Sequence, residues 1–360
     1  MVPVVDLTRR AARHRDGFVE ALDRVLRSGV VLLGPETEAF EAEMAAAMGA
    51  AHGVAVASGA SALALSLAAL GVGPGDEVIV PAFTAVPTAA AVCAVGAVPV
   101  PVDVDPSTAA IDPAAVIAAR TERTAAIMPV HLYGRPFPLV SSGLLELGVP
   151  VVEDGAQAHG ALIPPSQSGS AAACYSFYPT KNLGGMGDGG MVVTDDADLA
   201  ARLRRLRVHG LADRYEHVEV AMNSRLSELE AAWLRLVLPD LEAGNARRAE
   251  IAGRYRSAAP SMRGQAPHER HVHHLSVVRV ADRQRFRDAM AERQVATAVH
   301  YPLALDGQPA YRHFARHACP EAAAWARECV SLPCFPELTD EEVDIVCSAL
   351  QDVEAEVFAC

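Results

Sequence analysis

The stretch VPVVED, residues 149–154, is an unbroken apolar run that ends in two carboxylates. Similar runs occur before and after it: DEVIVPA (76–82), VPVPVDVD (98–105), TAAIMPV (124–130) and GGMVVTD (189–195). Continuous apolar strands, rather than alternating ones, are typical of a parallel sheet covered on both faces. Helix-like stretches at 61–70 and 198–208 accompany them. The pattern therefore predicts an α/β fold with a mostly parallel central sheet.

The C-terminal third has a different pattern. After a helix-like segment at 226–255 come a β-like stretch (271–280), a helix-like stretch (283–293), a second β-like stretch (295–302) and a final helix near Thr339. A chain of 360 residues is long enough for one large domain and a smaller one. We predict a large α/β domain at 1–240 and a small α+β domain at 241–360.

The charge, the apolar stretches and the cysteines of the chain limit which binding partners and which location are expected. The formal net charge of -13 disfavours nucleic acid and anionic membranes. The chain does not begin with a signal-peptide pattern, and the most apolar region, 85–102, is broken by proline and glycine, so no membrane span is predicted. The seven cysteines are scattered without a CxxC pair, which favours free thiols and a cytoplasmic location.

The segment YSFYPTKNLGGMGDGG (175–190) contains the leading candidate for a reactive group, Lys181. Aromatic residues precede this lysine and glycines follow it, so its amine should be partly desolvated and shifted toward the neutral form. A neutral amine attacks an aldehyde to form an imine. From this segment alone, a surface lysine beside a flexible loop is an open alternative.

Two further segments carry complementary chemistry. Asp154 ends a predicted strand, where ligands bind in parallel sheets, and it can pair with a protonated pyridine nitrogen while Gln157 contacts the ring oxygen. Capping of a following helix is an equally compatible role for Asp154. SGASAL (58–63) starts a helix whose free amides suit a phosphate, and the Ser176 hydroxyl is a second candidate donor.

Together these segments resemble the DegT/StrS family of sugar aminotransferases, which are pyridoxal-phosphate (PLP) enzymes of fold type I. The similar motifs run in order through nearly the whole chain. They include SGASAL (58–63), GPGDEVIVPAFT (73–84), PVHLYGRP (129–136), VEDGAQAHGA (152–161), YSFYPTKNLGGMGDGG (175–190), MNSRLSELEAAWLR (222–235) and SLPCFP (331–336). The expected fold is a PLP-dependent transferase of type I, with a large domain and a small α+β C-terminal domain.

The resemblance implies roles at matching positions. Lys181 would hold PLP as a Schiff base and shuttle the proton, and Asp154 would pair with the pyridine nitrogen. The other implied cofactor contacts are Gln157 at the 3-oxygen, Gly59, Ala60 and Ser176 at the phosphate, and Asn223 reaching the phosphate of the neighbouring subunit in a homodimer with shared active sites. Residues implied near the substrate entrance are His131, Tyr133, His209, Arg225, His300 and Tyr301. Two positions depart from the family pattern: Ala60 replaces a usual Thr, and Ala85 replaces a ring-stacking aromatic residue.

The implied reaction is amino transfer from an amino acid, L-glutamate, to a dTDP-linked 3- or 4-keto-6-deoxy sugar, in the biosynthesis of a natural product or surface glycan. A cyclitol or scyllo-inosose aminotransferase, an aminoshikimate-type synthase and a non-catalytic PLP-binding regulator stay open as alternatives. No metal is expected. The tract HERHVHH (268–274) predicts a small-domain strand with His271 and His273 on one face, and no carboxylate or cysteine nearby completes a typical ligand set.

Overall fold

The computed structural model describes residues 1–358. The helices are α1 (Leu7–Ser28), α2 (Pro35–Met48), α3 (Gly59–Ala69), α4 (Pro87–Ala94), α5 (Pro113–Ala119), α6 (Pro165–Ser168), α7 (Ala197–Leu206), α8 (Glu228–Val237), α9 (Leu241–Ala258), α10 (Arg283–Glu292), α11 (Pro320–Glu328) and α12 (Asp340–Phe358). The strands are β1 (His52–Val56), β2 (Glu77–Pro81), β3 (Val98–Val102), β4 (Thr124–Ile127), β5 (Val152–Asp154), β6 (Ala172–Ser176), β7 (Gly190–Thr194), β8 (Leu211–Asp213), β9 (Glu216–His217), β10 (Arg263–Gly264), β11 (Ser276–Arg279) and β12 (Cys329–Leu332).

Seven strands form the centre of the molecule in the order β3-β2-β4-β5-β6-β7-β1. Strands β3, β2 and β4 pair in parallel, as do β5 and β6. Parallel bridges from Ile127 to Val151 and from Val130 to Asp154 join β4 to β5. Strand β7 is antiparallel to both of its neighbours, β6 and β1. The prediction of a mostly parallel α/β sheet is therefore confirmed.

Both faces of the sheet are covered, which explains the continuously apolar strands. In β7, Val192 packs into a core with Leu67 of α3 and Leu203 of α7. Its neighbours in sequence point the other way, and Met191 packs with Met44 of α2 in a second core. Because successive strand residues point to opposite faces, every position of such a strand must be apolar.

The C-terminal part builds a separate antiparallel sheet, β10-β11-β12, whose core includes helices α9, α10 and α12. Val2 at the N-terminus packs into this core as well. Helix α9 begins at Leu241, next to the predicted boundary, and the division into two domains stays a prediction. The strand predicted at 295–302 is wrong: Val295 and Ala298 form only isolated bridges, to Val2 and to Ser331 of β12, so the segment pairs with two different neighbours at single residues.

Candidate active site

Lys181 lies in the loop between β6 and β7, at the carboxyl end of β6. Arg10 of α1 donates hydrogen bonds to the carbonyl oxygens of Pro179 and Lys181, the latter at 3.4 Å. On the other side of the lysine, Glu230 of α8 accepts a hydrogen bond from the Met186 N–H at 2.6 Å. Two helices therefore anchor the loop on both sides of Lys181, which fixes where its side chain starts.

The Lys181 amine is held in a desolvated position. Its side chain keeps some exposed surface, yet protein atoms crowd around it, and within residues 1–358 the amine makes no hydrogen bond. Burial lowers the pKa of Lys181 from 10.5 to about 8, and the charge of Asp154 opposes part of that shift. A sizeable fraction of the amine is therefore neutral near physiological pH.

Asp154 closes β5 and is only 4% exposed. Thr88 of α4 donates its hydroxyl to Oδ2 at 2.8 Å, and the Ala156 N–H donates to Oδ1 at 3.1 Å. Burial raises the pKa of Asp154, while these two hydrogen bonds and the charge of Lys181 oppose the rise. Residues 155–161 form turns and no helix, so Asp154 is not a helix cap. Its carboxylate is available to a cationic group beside Lys181.

Gln157 connects three of the residues predicted near the site. Its Oε1 accepts from the backbone N–H of Tyr133 at 2.6 Å, and its Nε2 donates to the hydroxyl of Tyr301 at 3.2 Å. The Tyr133 hydroxyl donates in turn to the carbonyl oxygen of His300. Burial raises the pKa of Tyr301 to about 12, so its hydroxyl stays protonated. The structure thus brings Tyr133, His300 and Tyr301 together around Gln157.

The N-terminus of α3 faces Ser176 at the end of β6. Ser58 caps the helix by accepting from the Ser61 N–H at 3.1 Å. A Cβ on Gly59 would lie 2.6 Å from the Ser176 Cβ, so only glycine permits this close approach. Ala60 is half-buried beside it. Free amides of a helix start next to a serine hydroxyl suit a phosphate dianion.

These groups match three parts of PLP: the aldehyde, the ring nitrogen and the phosphate. The lowered-pKa amine of Lys181 matches the aldehyde, the Asp154 carboxylate matches the ring nitrogen, and the start of α3 with Ser176 matches the phosphate. All of them come from the carboxyl ends of β5 and β6 or from the turn after β1, which is the edge where open α/β sheets bind ligands.

His131 does not open toward a substrate entrance, although it was predicted there. It is 1% exposed; its Nδ1 accepts from the Phe137 N–H at 2.9 Å, and its Nε2 lies 3.0 Å from Glu153 Oε2. Burial works to raise the pKa of Glu153, but the contacts with His131 and nearby serine hydroxyls outweigh it and lower the pKa. Tyr133 is equally buried, at 0% exposure. His131 and Tyr133 are therefore buried residues that contact Glu153 and Gln157, and neither is exposed to a substrate.

Asn223, His209 and Arg225 lie on a surface segment. Asn223 is exposed, and its backbone forms an isolated antiparallel β-bridge with Val208. Its Oδ1 accepts a hydrogen bond from Arg225 Nε at 2.9 Å. His209 is exposed too, with its carbonyl oxygen 2.9 Å from His217 Nδ1. Within residues 1–358 no hydrogen bond or ion pair joins these three residues to Lys181 or Asp154. The single chain therefore leaves them outside the cluster around Lys181.

The sequence reasoning missed three contributors to the site: Thr88, His159 and His274. The charge of Lys181 lies close enough to His159 and His274 to lower their pKa values, although burial is the larger cause in both. Burial brings the pKa of His159 to about 3, and neither ring nitrogen makes a well-formed hydrogen bond, although the Ser176 carbonyl lies near. His159 is five residues beyond Asp154 in the motif already singled out, which was the available signal.

The histidine tract does not form a strand. Residues 271–274 have no regular structure, and β11 begins only at Ser276. The rings of His271 and His273 stack with centroids 3.7 Å apart, while His274 turns toward Asn182, with its Nδ1 3.2 Å from Asn182 Oδ1. In the described part of the chain, no cluster of three or more His, Cys, Asp or Glu residues is arranged to hold a metal ion. That part also contains no helix that is both long and apolar enough to span a membrane.

Comparison with known proteins gives consistent matches. The model of the DegT/DnrJ/EryC1/StrS aminotransferase family matches residues 13–351. A UDP-N-acetyl-3-dehydro-α-D-glucosamine 3-aminotransferase of Acidithiobacillus ferrooxidans is 42% identical over 97% of both chains. A dTDP-3-amino-3,4,6-trideoxy-α-D-glucose transaminase of Streptomyces venezuelae is 43% identical, over 98% of this chain and 96% of its own. The crystal structure of S. venezuelae DesV with a ketimine intermediate superposes with a TM-score of 0.92 at 41% identity, covering 98% of both chains.

Proposed function

The chain belongs to the DegT/DnrJ/EryC1/StrS aminotransferase family, and on that premise we propose that it aminates a nucleotide-linked keto sugar. It is a PLP-dependent aminotransferase of fold type I; similar solved structures include forms with PLP and with pyridoxamine phosphate. Two relatives, 45% and 40% identical, have names that describe a sensory and a regulatory protein, but the Lys181 amine beside the Asp154 carboxylate favours catalysis over a non-catalytic regulator. A synthase of 3-amino-5-hydroxybenzoic acid is also similar, at 31% identity, below the sugar transaminases.

The substrate we propose is a dTDP-linked 3-keto-6-deoxy sugar. The names of three relatives, each 41 to 43% identical, place the amino group at carbon 3. Two of those names specify a dTDP carrier and a 6-deoxy product, and one specifies a UDP carrier. We propose L-glutamate as the donor and, because the six cysteines of the described chain are free thiols, a reducing cytoplasmic location.

The observation that carries the proposal is the desolvated Lys181 amine beside the buried Asp154 carboxylate. Bound PLP supplies an electron-withdrawing ring that stabilises negative charge at the substrate carbon. In this proposal Asp154 holds the ring nitrogen protonated, and Thr88 holds Asp154 in place. Neutral Lys181 would take a proton from the donor carbon in the first half-reaction, and in the second half-reaction, which runs in reverse on the keto sugar, its ammonium form would give a proton to the acceptor carbon.

The contacts of the cofactor are proposed from the same geometry. Gln157 would contact the ring oxygen, and Gly59, Ala60 and Ser176 would hold the phosphate through backbone amides and a hydroxyl. The missing Thr hydroxyl at Ala60 costs one contact, and the helix N-terminus supplies amides in its place. Tyr301, half-buried at the mouth of this cluster, is positioned to contact the substrate.

We propose a homodimer in which Asn223 and Arg225 complete the partner's site. Their segment exposes large apolar side chains, with Tyr215 84%, Met222 77% and Val220 fully exposed. Apolar side chains grouped in this way mark an interaction surface. Sedimentation analysis should give twice the 37.9 kDa of one chain, and Met222→Glu should weaken the association. A monomer at micromolar concentration would refute the homodimer.

Hybrid dimers test whether Asn223 acts across the interface. Asn223→Ala and Lys181→Ala chains are each expected to lose tight PLP binding when alone. In a mixed dimer, the Lys181→Ala chain supplies an intact Asn223 to the other site. If each mixed dimer binds one PLP tightly, Asn223 acts across the interface. If the mixed dimer binds no PLP tightly, Asn223 acts in the site of its own chain.

The reaction itself is tested with a substrate panel. The protein is incubated with glutamate and 3-keto or 4-keto sugars on dTDP or UDP, with scyllo-inosose as the cyclitol arm, and amino products are detected by mass spectrometry. We expect product from the dTDP-linked 3-keto sugar and none with Lys181→Ala. Product from scyllo-inosose alone would favour the cyclitol enzyme, and a full panel without product would refute the proposal.

A further inference from the structure

A cavity of about 260 Å³ lies in the C-terminal part of the chain, between α9 and the β10-β11-β12 sheet. Arg256, Arg263 and His273 are among the side chains that line it, and its lining contains no Asp or Glu. This volume lies just below the range of about 300–1,000 Å³ typical of small-molecule sites. The size suits a compact ligand, and the polar lining suits a negative charge.

The two arginines are unengaged cations. Within residues 1–358 neither Arg256 nor Arg263 makes an ion pair or a side-chain hydrogen bond, and both are exposed. Their neighbour on α9 behaves differently, since Arg254 pairs with Asp340 and Asp344 of α12. In a chain with a net charge of -13, two free guanidinium groups at one cavity form a local positive patch.

His271 is locked as a neutral ring by its partners. Gln265 Nε2 donates to the carbonyl oxygens of Thr108 at 2.6 Å and Leu132 at 3.2 Å, so Gln265 Oε1 is the acceptor toward His271 Nε2 at 3.1 Å. His271 Nδ1 accepts from the His273 N–H at 3.0 Å. Both nitrogens of His271 are therefore used, and the tautomer is fixed.

His273 is the free member of the stacked pair. Its ring lies on that of His271, and within residues 1–358 the ring nitrogens of His273 make no hydrogen bond. Its ring N–H is therefore available to an acceptor in the cavity. Met262, Val278 and Leu332 are among the apolar residues that line the same cavity.

We propose that this cavity binds a small organic anion, whose carboxylate or phosphate contacts Arg256, Arg263 and His273 while its apolar body lies against Met262 and Leu332. The site is separate from the cluster around Lys181. His274, next in sequence, faces that cluster through Asn182, whereas His271 and His273 face the cavity. The proposal does not depend on the sugar substrate.

Isothermal titration of the full-length, PLP-loaded protein tests the site, since bound PLP fills the phosphate position at Gly59. The probes are benzoate, phenyl phosphate and inorganic phosphate. Benzoate tests a carboxylate on an apolar ring, phenyl phosphate tests a phosphate on the same ring, and inorganic phosphate tests the anion without an apolar group. We expect one saturable site per chain for at least one aromatic probe. Arg256→Gln with Arg263→Gln should weaken it at least tenfold, because two charged hydrogen-bond donors are lost.

Arg254→Gln is the control for charge on α9, because it removes one positive charge from the helix that carries Arg256, at a position outside the cavity. It should leave the affinity within twofold. No saturable binding of any probe up to about 10 mM, roughly ten times the 1 mM dissociation constant of a weak ligand, would overturn the proposal. So would equal loss in the control and the double variant, or inorganic phosphate binding as tightly as the aromatic anions.

Discussion

The titration of Lys181 in the PLP-free protein is the most direct measure of the site. Burial brings the pKa of Lys181 from 10.5 to about 8, and the Asp154 carboxylate holds it above the value that burial alone would give. At pH 7 a pKa of about 8 leaves roughly 9% of the amine neutral, against roughly 0.03% at 10.5. The neutral fraction of the Lys181 amine should therefore be roughly 300 times that of an ordinary lysine, and its reactivity should exceed that of an ordinary lysine of equal access.

Removing the carboxylate changes this titration in a defined direction. Asp154→Asn eliminates the one charge that stabilises the ammonium form, so the midpoint of the Lys181 titration should move below that of the unchanged protein. Asp188→Asn is the matched control, since Asp188 lies in the same glycine-rich loop and is exposed. It should leave the midpoint where it was.

Competitive acetylation between pH 6 and 11, followed by mass spectrometry of peptides, reads the midpoint at a single residue. Lys181 is the only lysine in the sequence, so peptide mapping needs only to separate it from the amino terminus. We expect half-maximal reactivity near pH 8. A midpoint near 10.5, or a midpoint that Asp154→Asn leaves unchanged, would refute the assignment of Lys181 and Asp154 to one desolvated pair.

Two further substitutions test the cofactor site, and a third tests an ion pair at the start of β2. Gly59→Ala puts a methyl group 2.6 Å from the Ser176 Cβ, so the PLP dissociation constant, measured by fluorescence titration, should rise about tenfold or more, and the thermal midpoint should fall because such overpacking costs about 1–3 kcal/mol. Thr88→Val removes a hydrogen bond of 2.8 Å to Asp154 and should weaken PLP binding about fivefold, with Thr88→Ser restoring it. Glu77→Gln breaks the contacts with Arg316 and should lower the free energy of unfolding in urea by about 2 kcal/mol at pH 7. The pKa of Glu77 falls from 4.5 to about 2, chiefly through Arg316, so its stabilisation is present above pH 4.5 and is lost between 4.5 and 2; equal acid sensitivity of the Gln variant would contradict this.

Five of the seven strands of the central sheet were predictable because burial on both faces of the sheet makes their sequences continuously apolar, whereas β1 and β6 were not predicted. The five apolar runs correspond to β2, β3, β4, β5 and β7, whose buried valine, isoleucine and methionine side chains pack into the cores on the two faces of the sheet. Asp154 was then found as the polar residue that ends one such run. The segment 295–302 is equally apolar at its start but forms no strand, because its hydrogen bonds go to single residues of two different neighbours.

The surroundings of Lys181 were less predictable because they assemble from distant parts of the chain. Thr88 acts on Asp154 across 66 residues, and His274 reaches Asn182 across 92. Nothing local distinguishes a threonine near the start of α4 from any other. The histidine tract suggested one face for His271 and His273, but only the tertiary contacts show that His274 turns away from both.

The lysine content of the chain decides which property of Lys181 matters for its chemistry. The other 30 of the 31 Lys and Arg residues are arginines, which stay protonated and do not condense with aldehydes. An aldehyde therefore finds one side-chain amine whatever its pKa, so the lowered pKa is not needed to distinguish Lys181 from competing lysines. What it changes is the fraction of amine that is ready to attack and to accept a proton. Because the stoichiometry of PLP would be the same with an ordinary lysine, the titration of Lys181 tests the site and a count of bound cofactor does not.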